Sequence, residues 1–300
     1  MAELNWKGVY PAVLTPFKEN GEIDFDMFAK NTEAQIKAGV HGIIIAGSLG
    51  DAAVLDTDEK FELLTFARQV VAGRVPVILN ITENTTKNAV NFAIKAKELG
   101  ADGLMLLPPM RYRADDREVV TYFKAVANAT DLPILIYNNP VDYAVFVSPA
   151  MFDELKDCPT IAAVKESTRD LTNITRMKNQ FGDRFKILGG VDTISLESIV
   201  VGADGWVFGL VDAFPNETVA MYNYAVNGDY DKALEIYRWF MPLLELDIHP
   251  KLIQYIKLAA TAEGIGTPHL RAPRLPLIGE EAERIHKVIA DGIASRPRLN

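Results

Sequence analysis

Cysteine and histidine are scarce in this 300-residue chain, which has one cysteine and four histidines. Cys158 has no partner for an intrachain disulfide, as is usual in a reducing compartment, and a cytoplasmic location is expected. The histidines do not pair at metal-ligand spacing and no cluster of histidine or cysteine occurs, so no dedicated transition-metal site is expected. They are His41, His249, His269 and His286.

Long apolar runs and excess positive charge are also missing. No run approaches the roughly 20 apolar residues that cross a bilayer, and the first residues lack the basic and apolar regions of a signal peptide. The formal net charge is −9, whereas nucleic acids and anionic membranes are bound by clustered Lys and Arg. Neither a membrane nor a nucleic acid is therefore predicted as a partner. An anionic small molecule held at a local positive site remains open.

What the chain does contain is a regular alternation of short β-prone runs and longer helical stretches. Successive runs start about 20 to 35 residues apart, which is the length of one βα unit. Most are continuously apolar, as in strands buried on both faces. The runs are 9–14, 42–46, 75–81, 103–107, 133–137, 161–165, 185–188 and 206–210. Strict alternation through eight units predicts an α/β fold, the (β/α)8 or TIM barrel.

Helices are predicted where apolar residues recur three and four positions apart. Between the strands these stretches are 28–38, 58–72, 86–99 and 118–129. Beyond residue 215 the strands stop, and the helical stretches are 217–226, 230–245, 252–262 and 280–293. We therefore predict a barrel over residues 1–222 and a helical C-terminal extension over residues 223–300.

Active sites of such barrels lie at the carboxyl ends of the strands, and Lys165 is the sharpest candidate there. It follows the apolar run Ile-Ala-Ala-Val, so its stem should lie in a strand and its amine at the catalytic end. Burial disfavours the ammonium and lowers the pKa, as an imine-forming lysine requires. From position alone, a lysine that ends a strand and extends into water is an equally good interpretation.

Tyr137 closes the preceding strand and is expected to place its phenol near Lys165, as an acid and base for carbinolamine and proton steps. The alternative is a core aromatic residue with a hydrated hydroxyl. The loop Gly47-Ser48-Leu49-Gly50 precedes a helix, so its backbone N–H groups could bind a carboxylate. An ordinary glycine-rich turn is the alternative.

The glycines at strands seven and eight allow a ligand to approach the backbone closely. Gly189, Gly190 and Gly205 could equally form a phosphate site, which these strands often supply. Three acids near strand ends are interpreted as loop caps or buried structural groups, and not as catalytic acids. They are Asp51, Glu166 and Asp192.

Six segments, in this order, give the chain a resemblance to a known family: GVYPAVLTPF, GSLGD, YNNP, VKES, GGVD and APRLPL. The chain resembles the dihydrodipicolinate synthase/N-acetylneuraminate lyase family of Schiff-base barrels. The resemblance implies that Lys165 forms an imine with a small 2-keto acid and that Tyr137 is the catalytic tyrosine. It also implies no metal or organic cofactor, and a homotetramer.

The same resemblance assigns the substrate-binding residues. It implies that Ser48 relays protons to Tyr137 and helps to hold the substrate carboxylate. Leu49, where the family often has a second hydroxyl residue, offers only its backbone N–H. Gly190 and Val207 fall where the carbon chain of the keto acid packs.

Departures from the family pattern concern the far end of the substrate. Met110 and Arg111 replace a tyrosine pair of the lysine-pathway synthases, and Asp142 and Tyr143 stand where those synthases have an arginine. With Leu49, these departures argue against a dihydrodipicolinate synthase. Three further segments resemble catabolic members of the family, such as the 1-pyrroline-4-hydroxy-2-carboxylate deaminases: PPMRYRADDRE, GWVFGLVDAFP and IKLAATAEGIG with RAPRLPL. The resemblance therefore implies a catabolic deaminase or dehydratase. Arg111 could bind a substrate carboxylate, or it could lie at a surface or a subunit interface.

Other functions remain open. A 2-keto-acid aldolase and a 4-hydroxy-tetrahydrodipicolinate synthase would use the same imine chemistry. Two alternatives do without an imine. One is a phosphate-binding barrel isomerase, and the other is a non-catalytic barrel that senses a small molecule.

Overall fold

The chain was analysed as a computed structural model that describes residues 4–109 and 112–299. Its strands form one parallel sheet of eight. They are Gly8–Pro11 (β1), Ile43–Ile45 (β2), Val77–Ile81 (β3), Gly103–Leu106 (β4), Ile134–Asn138 (β5), Ile161–Glu166 (β6), Lys186–Gly189 (β7) and Gly205–Phe208 (β8). Each of the eight predicted strands overlaps one of these.

The sheet closes on itself. Its strand order is β1-β8-β7-β6-β5-β4-β3-β2, and the two ends of that order meet at a parallel bridge between Ala12 and Ile44. There the Val13 N–H donates to the Ile44 carbonyl oxygen at 2.9 Å. A closed parallel sheet with helices between its strands is a (β/α)8 barrel, so the predicted fold is confirmed.

Twelve α-helices surround and extend the barrel in the described residues. They are Phe25–Ala38 (α1), Thr57–Val71 (α2), Thr86–Glu98 (α3), Asp116–Ala127 (α4), Pro140–Tyr143 (α5), Pro149–Leu155 (α6), Thr172–Phe181 (α7), Ser195–Val200 (α8), Pro215–Val226 (α9), Tyr230–Leu244 (α10), Leu252–Ala262 (α11) and Gly279–Ala294 (α12). The eight predicted helices are present, and their ends differ from the predicted ones by at most three residues. The prediction lacked α5 to α8, which have 4 to 10 residues and so offer too few turns for a readable period.

The strands are apolar because they are buried on both faces. Every residue of β2 to β5 is buried, since one face fills the barrel and the other packs under helices. This burial removes the alternating pattern of a half-exposed strand. Polar side chains that occur at the strand ends are therefore the exception in the sequence.

The predicted boundary between barrel and extension, after residue 222, falls inside α9. This helix packs on α1, α8 and β1 as a barrel helix does, and also on α10. The division into two regions stays a prediction, while the C-terminal helices themselves are present. Among the described residues, no helix combines the length and apolar character needed to cross a membrane.

Candidate active site

Lys165 and Tyr137 lie side by side at the carboxyl ends of β6 and β5, where they are partners in the strand register. The Lys165 Nζ atom is 4.1 Å from the centroid of the Tyr137 ring. Both side chains are buried, with exposed fractions of 8% and 6%. Burial lowers the pKa of Lys165, and the nearby Asp247 carboxylate opposes that shift. The direction of the shift is the one that nucleophilic attack by an amine requires.

The Tyr137 hydroxyl is held by Asn139, whose side-chain N–H donates to it at 3.1 Å. The same amide nitrogen donates to the Asp142 carboxylate at 2.7 Å. Burial raises the pKa of Tyr137, so its phenol is neutral at physiological pH. A neutral phenol can both give and accept a proton next to the amine.

Ser48 is placed differently from what the resemblance implies. Its hydroxyl forms a hydrogen bond with the hydroxyl of Tyr143, the last residue of α5. Tyr143 in turn packs edge-on against Tyr137, with ring centroids 5.5 Å apart and an interplanar angle of 78°. Tyr143 therefore lies between Ser48 and the phenol that Ser48 was expected to serve.

One cavity of about 450 Å³ brings the predicted residues together. Those that line it are Ser48, Leu49, Tyr137, Lys165, Gly190 and Val207. Arg111, the remaining predicted binding residue, lies outside the described residues, as does Met110. The cavity is large enough for a ligand longer than a three-carbon keto acid.

Of the three predicted glycines, only Gly190 belongs to this cavity. A Cβ atom on Gly190 would lie 2.7 Å from Lys165 Cε and 2.2 Å from Ser167 Oγ, so glycine leaves the lysine its space. A Cβ on Gly189 would meet Ser198 of α8, and one on Gly205 would meet the Gly8 backbone. These two glycines serve packing of the barrel and do not line this cavity, so their place in a ligand or phosphate site stays a prediction.

The predicted structural acids have structural partners. The Asp192 carboxylate accepts the N–H groups of Gly209 and Leu210, the latter at 2.8 Å. The Glu166 carboxylate accepts N–H groups of Asn138, Thr168 and Asn173. These bonds fix the loops that follow β6 and β8. Asp192 also faces the cavity, and burial raises its pKa.

The segment after α10 and the Pro-rich tail form a second part of the cavity wall, which the sequence analysis missed. Asp247, His249 and Arg274 line the cavity. A Cβ on Gly209 would lie 2.6 Å from Asp247 Oδ1, which shows how closely the carboxylate packs on the end of β8. Burial raises the pKa of Asp247 to about 6, against the opposing effect of Lys165. No local sequence pattern marks these residues, because the tail reaches the cavity through long-range packing.

The described residues contain no group of three or more His, Cys, Asp or Glu side chains able to hold a metal ion. The arrangement at the cavity is an amine of lowered pKa, two neutral phenols and a serine hydroxyl, with backbone N–H groups in the Ser48 loop. Such a set can form and break carbon–nitrogen bonds and move protons.

Comparison with known proteins identifies the family. The sequence model of the dihydrodipicolinate synthetase family matches residues 5–291. The chain belongs to this family. Its members are class I aldolase-type lyases, and this chain is an enzyme of that kind.

Three relatives illustrate the similarity. The 4-hydroxy-tetrahydrodipicolinate synthase of Methanothrix thermoacetophila is 30% identical over 288 residues, 95% of this chain and 96% of that protein. The crystal structure of a dihydrodipicolinate synthase from Bacillus anthracis has a TM-score of 0.93 and 28% identity, covering 99% of this chain and 100% of its own. For the dihydrodipicolinate synthase from Aquifex aeolicus the TM-score is 0.90 at 29% identity, with 95% and 97% covered.

Proposed function

We propose that this enzyme forms an imine between Lys165 and the 2-carbon of a small 2-keto acid or of a cyclic imine carboxylate. The observation that carries the proposal is the buried Lys165 amine, 4.1 Å from the Tyr137 ring and of lowered pKa. A free amine is the nucleophile for this step. The Ser48 and Leu49 backbone would hold the carboxylate of the substrate.

The steps follow from these groups. The Lys165 amine adds to the keto carbon, and the new carbinolamine loses its hydroxyl as water when a phenol supplies a proton. The resulting protonated imine withdraws electrons, so the neighbouring carbon can lose a proton and act as a nucleophile. Water then hydrolyses the imine and frees the Lys165 amine. The protein supplies both electron sink and proton donors, so we propose that no metal or organic cofactor takes part.

For the overall reaction, the first candidate that we propose is a condensation that joins pyruvate to an aldehyde through a new carbon–carbon bond. The relatives named 4-hydroxy-tetrahydrodipicolinate synthase support it. That ranking replaces our expectation of a deaminase, which rested on sequence features alone. Retro-aldol cleavage of a longer 2-keto acid would use the same intermediate in the reverse direction.

A deaminase or dehydratase remains the second candidate because of the acidic side of the cavity. Asp142, Asp192 and Asp247 line it, with Asp142 at the position where the lysine-pathway synthases have an arginine for a second carboxylate. A carboxyl group whose pKa is raised to about 6 can protonate a departing amine or hydroxyl. The 1-pyrroline-4-hydroxy-2-carboxylate would offer both leaving groups.

A homotetramer in the cytoplasm is part of the same proposal. The family resemblance supports the assembly, and the single cysteine supports a reducing location. Size-exclusion chromatography with light scattering would give the mass of the assembly directly. A mass other than four chains would contradict it.

Trapping with borohydride tests the imine. The enzyme would be incubated with pyruvate, 4-hydroxy-2-oxoglutarate, a 2-keto-3-deoxy sugar acid or the hydroxypyrroline carboxylate, then reduced and digested. We expect the mass of the reduced adduct at Lys165 and none at Lys257, a second buried lysine of lowered pKa that serves as the internal control. Lys165→Ala should abolish the adduct and lower turnover by at least about a thousandfold.

The same panel separates the outcomes by product: condensation product with pyruvate and aspartate semialdehyde, pyruvate release from the longer keto acids, or ammonia release from the hydroxypyrroline. No adduct with any compound, or full activity of Lys165→Ala, would overturn the imine proposal.

A further inference from the structure

Tyr143 is a side chain of the cavity that has no chemical role in the predictions from sequence. Its hydroxyl is hydrogen-bonded to that of Ser48, and its ring contacts Tyr137 edge-on. It is half-buried at the mouth of the cavity, where its neighbours Val141 and Asp142 are exposed. The phenol thus spans from the interior of the cavity to its rim.

The chain holds this phenol in place through Asn139. The side-chain oxygen of Asn139 caps α5 by accepting the Asp142 N–H at 3.2 Å. The backbone carbonyl oxygen of Asn139 accepts the Tyr143 N–H at 3.1 Å. The amide of the same residue donates to the Tyr137 hydroxyl. One residue therefore fixes both tyrosines relative to each other, and Pro140 at the start of the turn limits its backbone freedom.

We propose that Tyr143 is a catalytic residue, which passes protons between Ser48 and the substrate carbons bound over Lys165. This inference rests on the imine chemistry proposed above. A relay requires neutral O–H groups that donate and accept at once, and serine and tyrosine both qualify. Tyr143 and Ser48 belong to the same chain as Lys165, so these hydroxyls and the amine they serve come from a single subunit.

The protonation state of Tyr143 fits this role. Burial raises its pKa, while the Ser48 hydroxyl and the Lys165 amine lower it in part. The phenol is therefore protonated at neutral pH and can give its proton to a carbinolamine hydroxyl while it takes one from Ser48, which recovers a proton from water at the mouth of the cavity. If the phenol gives its proton first, the same contacts would stabilise the phenolate that is left, and this phenolate can take its proton back from the neighbouring substrate carbon.

A structural role for Tyr143 as an aromatic support of Tyr137 makes a different prediction. Tyr143→Phe keeps the ring contact and removes only the hydroxyl, so it separates the two roles. If Tyr143 relays protons, kcat should fall by about a hundredfold or more while KM stays within about threefold. If Tyr143 only packs, both constants should remain near those of the wild type.

The decisive measurement is the exchange of the pyruvate methyl protons in D₂O, followed by NMR, because it reports proton transfer at the imine alone. We expect Tyr143→Phe to slow this exchange by about a hundredfold or more. Ser48→Ala should slow it similarly, and the double variant should be little worse than either, since both remove one relay. Tyr122→Phe is the matched control, because its buried phenol has no hydrogen-bond partner among the described residues and its helix α4 lies outside the cavity.

The outcomes distinguish this inference from the function on which it rests. An absence of the pyruvate adduct at Lys165 in the wild type contradicts the proposed function. An adduct with exchange unchanged in Tyr143→Phe overturns the relay and leaves the imine in place. Additive losses in the double variant would also overturn it, because Ser48 and Tyr143 would then act separately.

Discussion

The two walls of the cavity are built differently. The strand wall consists of Tyr137, Lys165 and Val207, which lie on strands hydrogen-bonded to neighbours on both sides. The tail wall consists of Asp247, His249 and Arg274, which lie outside helices and strands. The strand wall carries one ionisable amine in apolar surroundings, whereas every member of the tail wall is ionisable. The amine that we expect to form the imine thus sits on the rigid wall, and contacts that select among substrates fall to the wall that can vary.

Buried charges attach the tail wall to the barrel. The Lys257 Nζ atom of α11 lies 2.7 Å from Asp51 Oδ2, directly after the Ser48 loop, and both side chains are at most 2% exposed. Arg271 binds Glu59 with two bonds of 2.7 and 2.8 Å. Lys257 and Arg271 also lie over the ring of Phe17. The loop that we expect to hold the substrate carboxylate is therefore anchored to the tail.

Among the variants that test the difference between the two walls, Lys257→Met is expected to have the largest effect. The substitution keeps the apolar stem but leaves the buried Asp51 carboxylate with only the longer contact to Arg274, whose Nε atom lies 3.7 Å from Asp51 Oδ1. The free energy of unfolding should therefore fall by about 3 kcal/mol, the lower end of the cost of breaking a buried ion pair. Urea unfolding followed by circular dichroism measures it. The double variant Lys257→Met/Asp51→Asn should recover most of the loss, because both charges are then gone. A loss below about 1 kcal/mol in the single variant would show that the tail wall needs no such anchor.

The strand wall is tested by two neighbouring glycines. In Gly190→Ala, the methyl carbon built with ideal geometry would lie 2.7 Å from Lys165 Cε. This overlap should displace the amine, so turnover should fall by about a hundredfold. Gly189→Ala is the matched control, because its methyl would meet Ser198 on the outer side of β7. It should lower stability and leave most of the activity of the folded enzyme. Steady-state rates and melting temperatures of both variants measure these two effects. An equal loss of activity in the two variants would contradict a rigid position of Lys165.

The strand wall was predictable from sequence for a physical reason. A parallel sheet fixes which residues sit side by side at its carboxyl edge, so an apolar run that ends in Lys165 and another that ends in Tyr137 already predict the contact. The role of Gly205 was not predictable in this way, because the sequence does not say whether a glycine leaves space for a ligand or, as here, for the neighbouring Gly8 backbone.

Tyr143 and Asp247 could not be placed in the same way. Tyr143 depends on a single helical turn whose direction is set by the Asn139 cap, and four residues are too few to show a period. Asp247 reaches the cavity because α10 packs on α9 and α12, which no local pattern records. Residues that depend on the docking of a turn or a tail therefore need coordinates.

The smallest expected effect concerns the charge of the tail wall. Burial raises the pKa of Asp247 from the ordinary 3.8 of an aspartate to about 6, so the folded state holds this proton more tightly than the unfolded chain does. Stability should then fall as the pH rises from about 4 to about 6, and the cost should be constant above that range. Lys165, Asp142, Asp192 and Arg169 are the charged groups that act on Asp247 or couple to it.

Asp247→Asn should remove this cost and so be more stable than the wild type at pH 7. A shift of two pKa units corresponds to about 3 kcal/mol, but the side chain opens onto cavity water, so we expect about 1 kcal/mol. The gain should be small at pH 4, where the wild-type carboxyl is protonated in the folded state and about half protonated in the unfolded chain. Urea unfolding at pH 4, 5.5 and 7 measures it, with Glu245→Gln, an exposed carboxylate nearby, as the control. A gain that is the same at all three pH values would mean that the Asp247 charge costs nothing, and the tail wall would then differ from the strand wall in flexibility alone.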